Sequence, residues 1–287
     1  MAQSLARVKH RISAVESTRK ITNSMKLVSS VKLRKMNKTV TLQAFYFKAM
    51  ERALSDAIFY NNVNADNSYD SIYLKENNES KKKLYIIVCS NMGLCGAYNN
   101  DVIKYFKKIY KKGDEIIIIG EKGYLNLQKE KDLKIETKFL HLRNDFTLGT
   151  TRVLCDFIMS KYETGEFNEI SMVYLKYKNS ISFVPTTLKL LPLIPKENKG
   201  AIYSPIYEPS KEKVLEIIIP QYLNSLLYGN LYSAFLSEES SRRNSMDAAD
   251  KSAKDLVDKL TLEYNKARQQ EITQEITEVV NGSKAVK

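Results

Sequence analysis

The sequence predicts an α/β domain inserted between the two halves of a long antiparallel coiled coil. Three observations carry this prediction. The first 58 residues contain no Gly or Pro and repeat apolar residues at spacings of three and four. Asn230 to Asn281 also lacks both residue types and shows the same spacing. Between them, short β-branched runs alternate with helical patterns, which implies a parallel sheet wound with helices.

In the amino-terminal helix the expected seam is Leu5, Val8, Ile12, Val15, Ile21, Met25 and Val28. After one phase slip near Val31 it continues through Leu33, Met36, Val40, Phe47, Leu54 and Ile58. The carboxyl-terminal seam is Ala249, Ala253, Leu256, Leu260, Tyr264, Ala267, Ile272, Ile276 and Val279. Each seam can bury itself only against a partner helix, and the other end of the chain supplies one. At ~1.5 Å per residue, helices of this length reach roughly 75 to 85 Å, so a rod is expected to protrude from the inserted domain.

After Ile58 the polar stretch Asn61 to Ser68 reads as a loop, and the polar run Lys75 to Lys83 leads into a strand at Leu84 to Cys89. Helical spacing follows over Ala97 to Tyr110, a four-isoleucine strand over Ile116 to Ile119, a short helix over Gly123 to Glu130 and a helix over Thr150 to Glu163. Strands at Glu169 to Tyr177 and Ser182 to Leu191, joined by Lys178-Asn179-Ser180, read as a hairpin, which makes the sheet mixed. Pro192, Pro195, Gly200, Pro205 and Pro209 punctuate the return. Lys211 to Tyr228 is helical with a kink expected at Pro220, and Gly229 follows. The expected division is residues 1–59 as the first coiled-coil helix, 60–83 as linker, 84–209 as the α/β domain and 210–287 as the second coiled-coil helix.

Charge is distributed unevenly. Of the net +12, residues 1–52 carry +10, from twelve Lys or Arg against Glu16 and Glu51, while residues 211–287 carry −1. The basic face of the first helix, with Lys20, Lys26, Lys32, Arg34 and Lys35, is either solvated or meets a polyanion or an acidic protein. Phe45 is the first aromatic residue, so stacking side chains are not interleaved with the basic ones and nucleic-acid binding is disfavoured. No run of 18 apolar residues marks a membrane span. The absence of an apolar h-region near the amino terminus argues against a secretory signal. Cys89, Cys95 and Cys155, odd in number and in apolar surroundings, read as reduced core thiols of an intracellular protein.

Catalytic motifs are sparse. The turn Ser90-Asn91-Met92-Gly93-Leu94-Cys95-Gly96 lies where a phosphate-binding turn lies, between the first strand and the first helix. It lacks both the G-x-G-x-x-G spacing and a P-loop lysine. Glu121 can imitate the acidic ribose contact of a dinucleotide site only alongside that fingerprint. His10 and His141 are the only histidines, too few for a Cys/His metal cluster, and no base can be named for Cys95. No cofactor, metal or catalytic residue is expected.

Three motifs resemble one family. Ile21 to Arg34 (ITNSMKLVSSVKLR) is similar to the amino-terminal signature of the γ subunit of F-type ATP synthases. Gly93-Leu94-Cys95-Gly96-Ala97-Tyr98-Asn99 resembles its glycine-cysteine turn, with Gly93, Cys95 and Gly96 as structural positions. Leu260 to Gln269, continued by Ile272 to Val280, resembles its carboxyl-terminal helix. The departures are Asn91 and Met92 where the family has an acid and an arginine, and Asp247-Ala248-Ala249-Asp250-Lys251 in place of its usual run after Met246.

The resemblance implies a fold in which both termini form a coiled coil with a Rossmann-like α/β insert. It implies a non-catalytic rotor shaft coupling proton flow to ATP synthesis or hydrolysis, turning inside three α and three β subunits. An ε-type subunit and a c-ring would sit at its foot, peripheral to the cytoplasmic face of a bacterial membrane. By the same resemblance Arg268 and Gln269 contact a β-subunit catch loop, and Met25, Lys26, Arg242, Thr273 and Glu275 are coupling positions. A paralogous motor serving motility is the alternative, followed by a basic nucleic-acid-binding coiled coil.

Overall fold

Helix α1 (Ala2–Val63) is unbroken, as a segment without Gly or Pro allows, and runs past Ile58 into the polar stretch read as a loop. The computed structural model describes residues 2–63, 71–75, 77, 79–130, 132–144, 146–194 and 207–285. The rest of that loop, and Pro195, Gly200 and Pro205 in the return segment, lie outside the described residues, as does the side chain of Val40.

Strands β1 (Lys83–Val88), β2 (Glu115–Ile119), β3 (Lys134–Glu136), β4 (Glu169–Tyr177) and β5 (Phe183–Leu191) form one sheet in the order β3-β2-β1-β4-β5. The first four are parallel, and β5 returns antiparallel to β4, completing the mixed sheet that the short hairpin link predicts. The crossovers are α2 (Tyr98–Ile109), α3 (Glu121–Leu127) and α4 (Leu148–Glu163). Strand β3 has no counterpart in the sequence reading, because three residues offer no period to detect. Helix α4 starts before the expected Thr150. Thr147 caps it reciprocally, its Oγ1 accepting from Thr150 N at 3.2 Å while its N–H donates to Thr150 Oγ1 at 2.9 Å.

Continuous apolar runs in β1 and β2 reflect burial on both faces. Tyr85, Ile87, Ile116 and Ile118 pack toward α2, with Val102 and Phe106. Leu84, Ile86, Val88, Ile117 and Ile119 face the other way, in one cluster with Leu154 and Ile158 of α4, Leu54 and Ile58 of α1, and Leu215, Leu223 and Leu231 of α5.

Helix α5 (Lys211–Ala285) is a single element that contains both Pro220, where a kink is expected, and Gly229. Burial of Leu223, Leu226, Leu227 and Leu231 on the sheet outweighs the ~1 kcal/mol that one glycine costs a helix.

The chain divides into two compact units. Unit 1 is Met1–Val31 with Arg242–Lys287, and unit 2 is Lys32–Ser241, holding the sheet, the later part of α1 and the first part of α5.

Candidate functional site

In unit 1 the helices run antiparallel, with Arg19 opposite Asp250 and Lys26 opposite Asp247. The less exposed positions of α1 in unit 1 include 5, 8, 12, 15, 19, 22, 26 and 29, in alternating steps of three and four, with Met25 and Ser30 half-buried beside them; Leu33 and Met36 in unit 2 keep the same count. The phase slip expected near Val31 is therefore absent. Ile21 and Val28, read as seam residues, are 62% and 54% exposed. The seam at those turns carries Arg19, Thr22, Lys26 and Ser29, the last only 2% exposed. Polar side chains at seam positions hid the true register from an apolar count.

The α5 side shows the same correction: Val257 and Glu271 sit at the less exposed positions assigned to Leu256 and Ile272, while Leu260 is buried. Ile276 and Val279 are exposed, as are the other described side chains from Ile272 to Ser283.

Polar seam positions bring ion pairs. Arg19 Nε lies 3.0 Å from Asp250 Oδ1, and Asp247 holds Lys26 Nζ at 2.5 Å and Lys251 Nζ at 2.9 Å. Hydrogen bonds from Lys26 and then Lys251 pull the Asp247 carboxyl down from 3.8 to about 2. A carboxylate whose folded value lies below its unfolded one adds stability above the unfolded value and loses it as pH falls toward the folded one. Asp247→Asn should therefore flatten the fall in melting temperature between about pH 4 and pH 2, followed by far-UV circular dichroism. Equal slopes in variant and wild type would remove this clasp from the account.

The basic face is thus partly neutralised from within the chain, which the sequence reading did not foresee. Lys26 is bound to Asp247 in unit 1, and in unit 2 Lys32 Nζ lies 3.6 Å from Glu239. Lys20 is exposed in unit 1, where Leu27 and Val31 join Ile21 and Val28 as exposed apolar side chains. Arg34 and Lys35 are exposed in unit 2. Met25 is half-buried and Arg242 buried. Arg268, Gln269, Thr273 and Glu275 are exposed on α5, and the Thr273 hydroxyl donates to the Gln269 carbonyl at 2.8 Å.

Unit 2 contains the turn after β1. Ser90 N–H donates to Asn99 Oδ1 at 2.9 Å, and Asn99 Nδ2 donates to Ser90 Oγ at 2.8 Å, so α2 holds the turn from its own first residues. Leu94 and Gly96 take left-handed backbone, φ 61° and 59°, around the buried Cys95. Gly96 is exposed and answers to its φ, and a Cβ at Gly93 meets only Lys122 Cε at 3.8 Å. Burial pushes the Cys89 thiol up, which leaves it inert as a nucleophile.

The strand order reverses between β1 and β4, where open α/β sheets bind ligands beyond the strands' carboxyl ends. Helix α5 reaches that place. Tyr98 OH donates to Ala234 O at 3.2 Å, Tyr177 N donates to Ser233 Oγ at 3.2 Å, and Ser241 Oγ donates to Cys95 O at 2.7 Å. Glu121 lies 3.3 Å from His141 Nδ1 rather than facing a ribose site. Arg143, in the turn between β3 and α4, sits 2.8 Å from both Glu238 and Glu239 with its guanidinium 4.5 Å from the Phe235 ring centre. Sequence reasoning missed Arg143, Glu238 and Glu239. Their signal is the run Ser237-Glu238-Glu239-Ser240-Ser241, polar residues that directly follow the apolar Leu231, Ala234, Phe235 and Leu236 in the same helix.

The family model described as ATP synthase matches residues 4–286. An ATP synthase gamma chain of Mesoplasma florum is 37% identical over 286 residues, with 98% of both chains covered. The chain belongs to the ATP synthase gamma-chain family. A gamma chain of Clostridium botulinum is also 37% identical, over 291 residues, covering 99% of this chain and 98% of that one. Among solved structures, a rotor chain of the Euglena gracilis mitochondrial ATP synthase matches with TM-score 0.67 at 16% identity, covering 95% of this chain and 100% of that one. A chain from the central stalk and c-ring of the Tetrahymena thermophila enzyme matches with TM-score 0.56 at 19% identity, over 80% and 99%. These two establish the fold, two long terminal helices around a central sheet domain. No helix among the described residues is long and apolar enough to cross a membrane.

Proposed function

We propose that this chain is the central rotor shaft of an F-type ATP synthase or ATPase. The observation that carries this reading is the antiparallel pair of unit 1, built from the two ends of a chain that belongs to the gamma family across residues 4–286. The shaft turns inside a ring of three α and three β subunits, and ATP chemistry resides in the β partners. Residues 1–59 and 210–287 serve as shaft, 84–209 as a foot beside an ε-type subunit and the c-ring, and 60–83 as the link between them. The complex is peripheral to the cytoplasmic face of a bacterial membrane. Arg268 and Gln269 are the catch-loop contacts, and Met25, Lys26, Arg242, Thr273 and Glu275 couple shaft angle to β-subunit state.

Exposure of Lys20, Arg34 and Lys35 supports a partner of opposite charge on each helix segment. The test is reconstitution with α and β subunits, scored by assembly, ATP turnover and rotation of the shaft. Assembly and rotation are expected of the wild-type chain, while an isolated chain that hydrolyses ATP with saturable kinetics overturns the shaft reading. Reversing Lys20, Arg34 and Lys35 together should weaken assembly in low salt by about tenfold, since each exposed pair contributes only ~0.2 to 1 kcal/mol. Lys26 and Lys32 belong in a separate variant, because their reversal also sets like charges beside Asp247 and Glu239. Unchanged assembly after the triple reversal means that this face is merely solvated.

A further inference from the structure

The geometry points to a binding site whose ligand is the chain's own helix: the crevice at the carboxyl ends of β1 and β4 grips α5, and Arg143 is the pin that keeps α5 from twisting against the sheet. This rests on the rotor reading, in which torque must pass between the shaft helices and the sheet domain.

An open α/β sheet presents its ligand crevice where the strand order reverses. In this chain the groups that line it are bonded to α5 at successive turns. Tyr174 OH donates to Asn230 Oδ1 at 2.6 Å, Tyr177 N to Ser233 Oγ at 3.2 Å, and Tyr98 OH to Ala234 O at 3.2 Å. These bonds involve neutral groups, and two of them end on single side chains that can rotate away.

Arg143 differs from them. Its two terminal nitrogens each lie 2.8 Å from a different carboxylate, Glu238 and Glu239, which are adjacent residues and so point about 100° apart around the helix. The Glu239 contact is a hydrogen bond from Nη2 and the Glu238 contact an ion pair, and a planar guanidinium held between two diverging carboxylates resists rotation of the helix in either sense, which a single contact cannot do. Both carboxylate side chains are 2% exposed and Arg143 16%, so water does not screen the pairs. The turn that carries Arg143 is itself anchored, with Gly120 N–H donating to Leu140 O and Asn91 Nδ2 to Asn144 Oδ1, both at 2.9 Å. The pin therefore joins the ends of β1, β2 and β3 to α5.

The experiment uses the complete complex in membrane vesicles and compares ATP hydrolysis with ATP-driven ion pumping against an opposing gradient. Arg143→Met keeps a stem over Phe235 but removes the charge, leaving Glu238 uncompensated and Glu239 with only the exposed Lys32, and can fail to fold for that reason alone. The deciding variant is Arg143→Met with Glu238→Gln and Glu239→Gln, which leaves no buried charge at the pin, while Lys32, 3.6 Å from Glu239 and 57% exposed, keeps its charge in water. We expect the triple variant to retain ATP hydrolysis while pumping under load falls about two- to threefold, because the helix yields where packed, charge-neutral side chains resist twist less. Arg143→Lys, which keeps the charge but reaches one carboxylate at a time, should fall between the two. Full pumping under load by the triple variant overturns the pin and leaves Arg143 a charge-balancing residue. A wild-type chain that fails to assemble or to pump overturns the rotor reading instead, so the two failures are distinguishable.

Discussion

Replacing Gly120 by Ala should unfold the sheet domain at a temperature about 10 °C or more below the wild type. Gly120 links β2 to α3 with φ +99°, a conformation that L side chains avoid. A Cβ built there lies 2.2 Å from the Cys89 carbonyl oxygen and 2.5 Å from its carbon, both backbone atoms. Neither can step aside, because Cys89 N–H donates to Ile119 O at 2.8 Å and Gly120 N–H to Leu140 O at 2.9 Å. Left-handed strain and a backbone clash together exceed about 3 kcal/mol, and for a domain of this size each kcal/mol moves the melting temperature by ~2 to 4 °C.

Gly229→Ala is the matched control. Gly229 lies within α5 with nothing within 4 Å of a new Cβ, so that substitution should raise stability by about 0.5 to 1 kcal/mol. Calorimetry of the full chain checks both. A Gly120→Ala melt within a degree or two of wild type contradicts the backbone placement on which the crevice argument depends.

What the sequence made legible, and what it hid, follows from the range of each signal. Ile116 to Ile119 announced a buried strand because sheet burial on both faces demands an unbroken apolar run. The long terminal helices were equally plain, since absence of Gly and Pro is a property of the segment rather than of any one residue. Register was less visible. The seam of α1 passes through Arg19, Thr22, Lys26 and Ser29, and Arg19 and Lys26 find their partners in Asp250 and Asp247, more than two hundred residues away. Counting apolar residues therefore promoted the exposed Ile21 and Val28 in their place. Arg143 was invisible for the same reason: one arginine in a turn means nothing until α5 brings Glu238 and Glu239 to it. The candidate partner contacts were read from resemblance alone, and no local pattern distinguishes Arg268 from any other exposed helical arginine.

Those contacts yield the other large effect. Arg268 and Gln269 are exposed on α5 immediately after Ala267, which faces the seam, so both side chains project away from the helix pair. In the proposed complex they meet the loop of one β subunit at a time as the shaft turns. A charge-assisted hydrogen bond contributes roughly 1.5 to 3 kcal/mol, enough to bias one β subunit between open and closed states without stopping the shaft. Arg268→Ala with Gln269→Ala should accordingly lower ATP turnover of the reconstituted complex by about tenfold or more, since ~1.4 kcal/mol is a factor of ten. The helix itself should persist. Alanine is the strongest helix former, and the bond from the Thr273 hydroxyl reaches the backbone carbonyl of residue 269, which the substitution leaves in place. Turnover, rotation and helicity are measured on the same preparation. Normal helicity with reduced turnover assigns the loss to the two side chains, whereas wild-type turnover and torque in a fully assembled double variant exclude them as the catch.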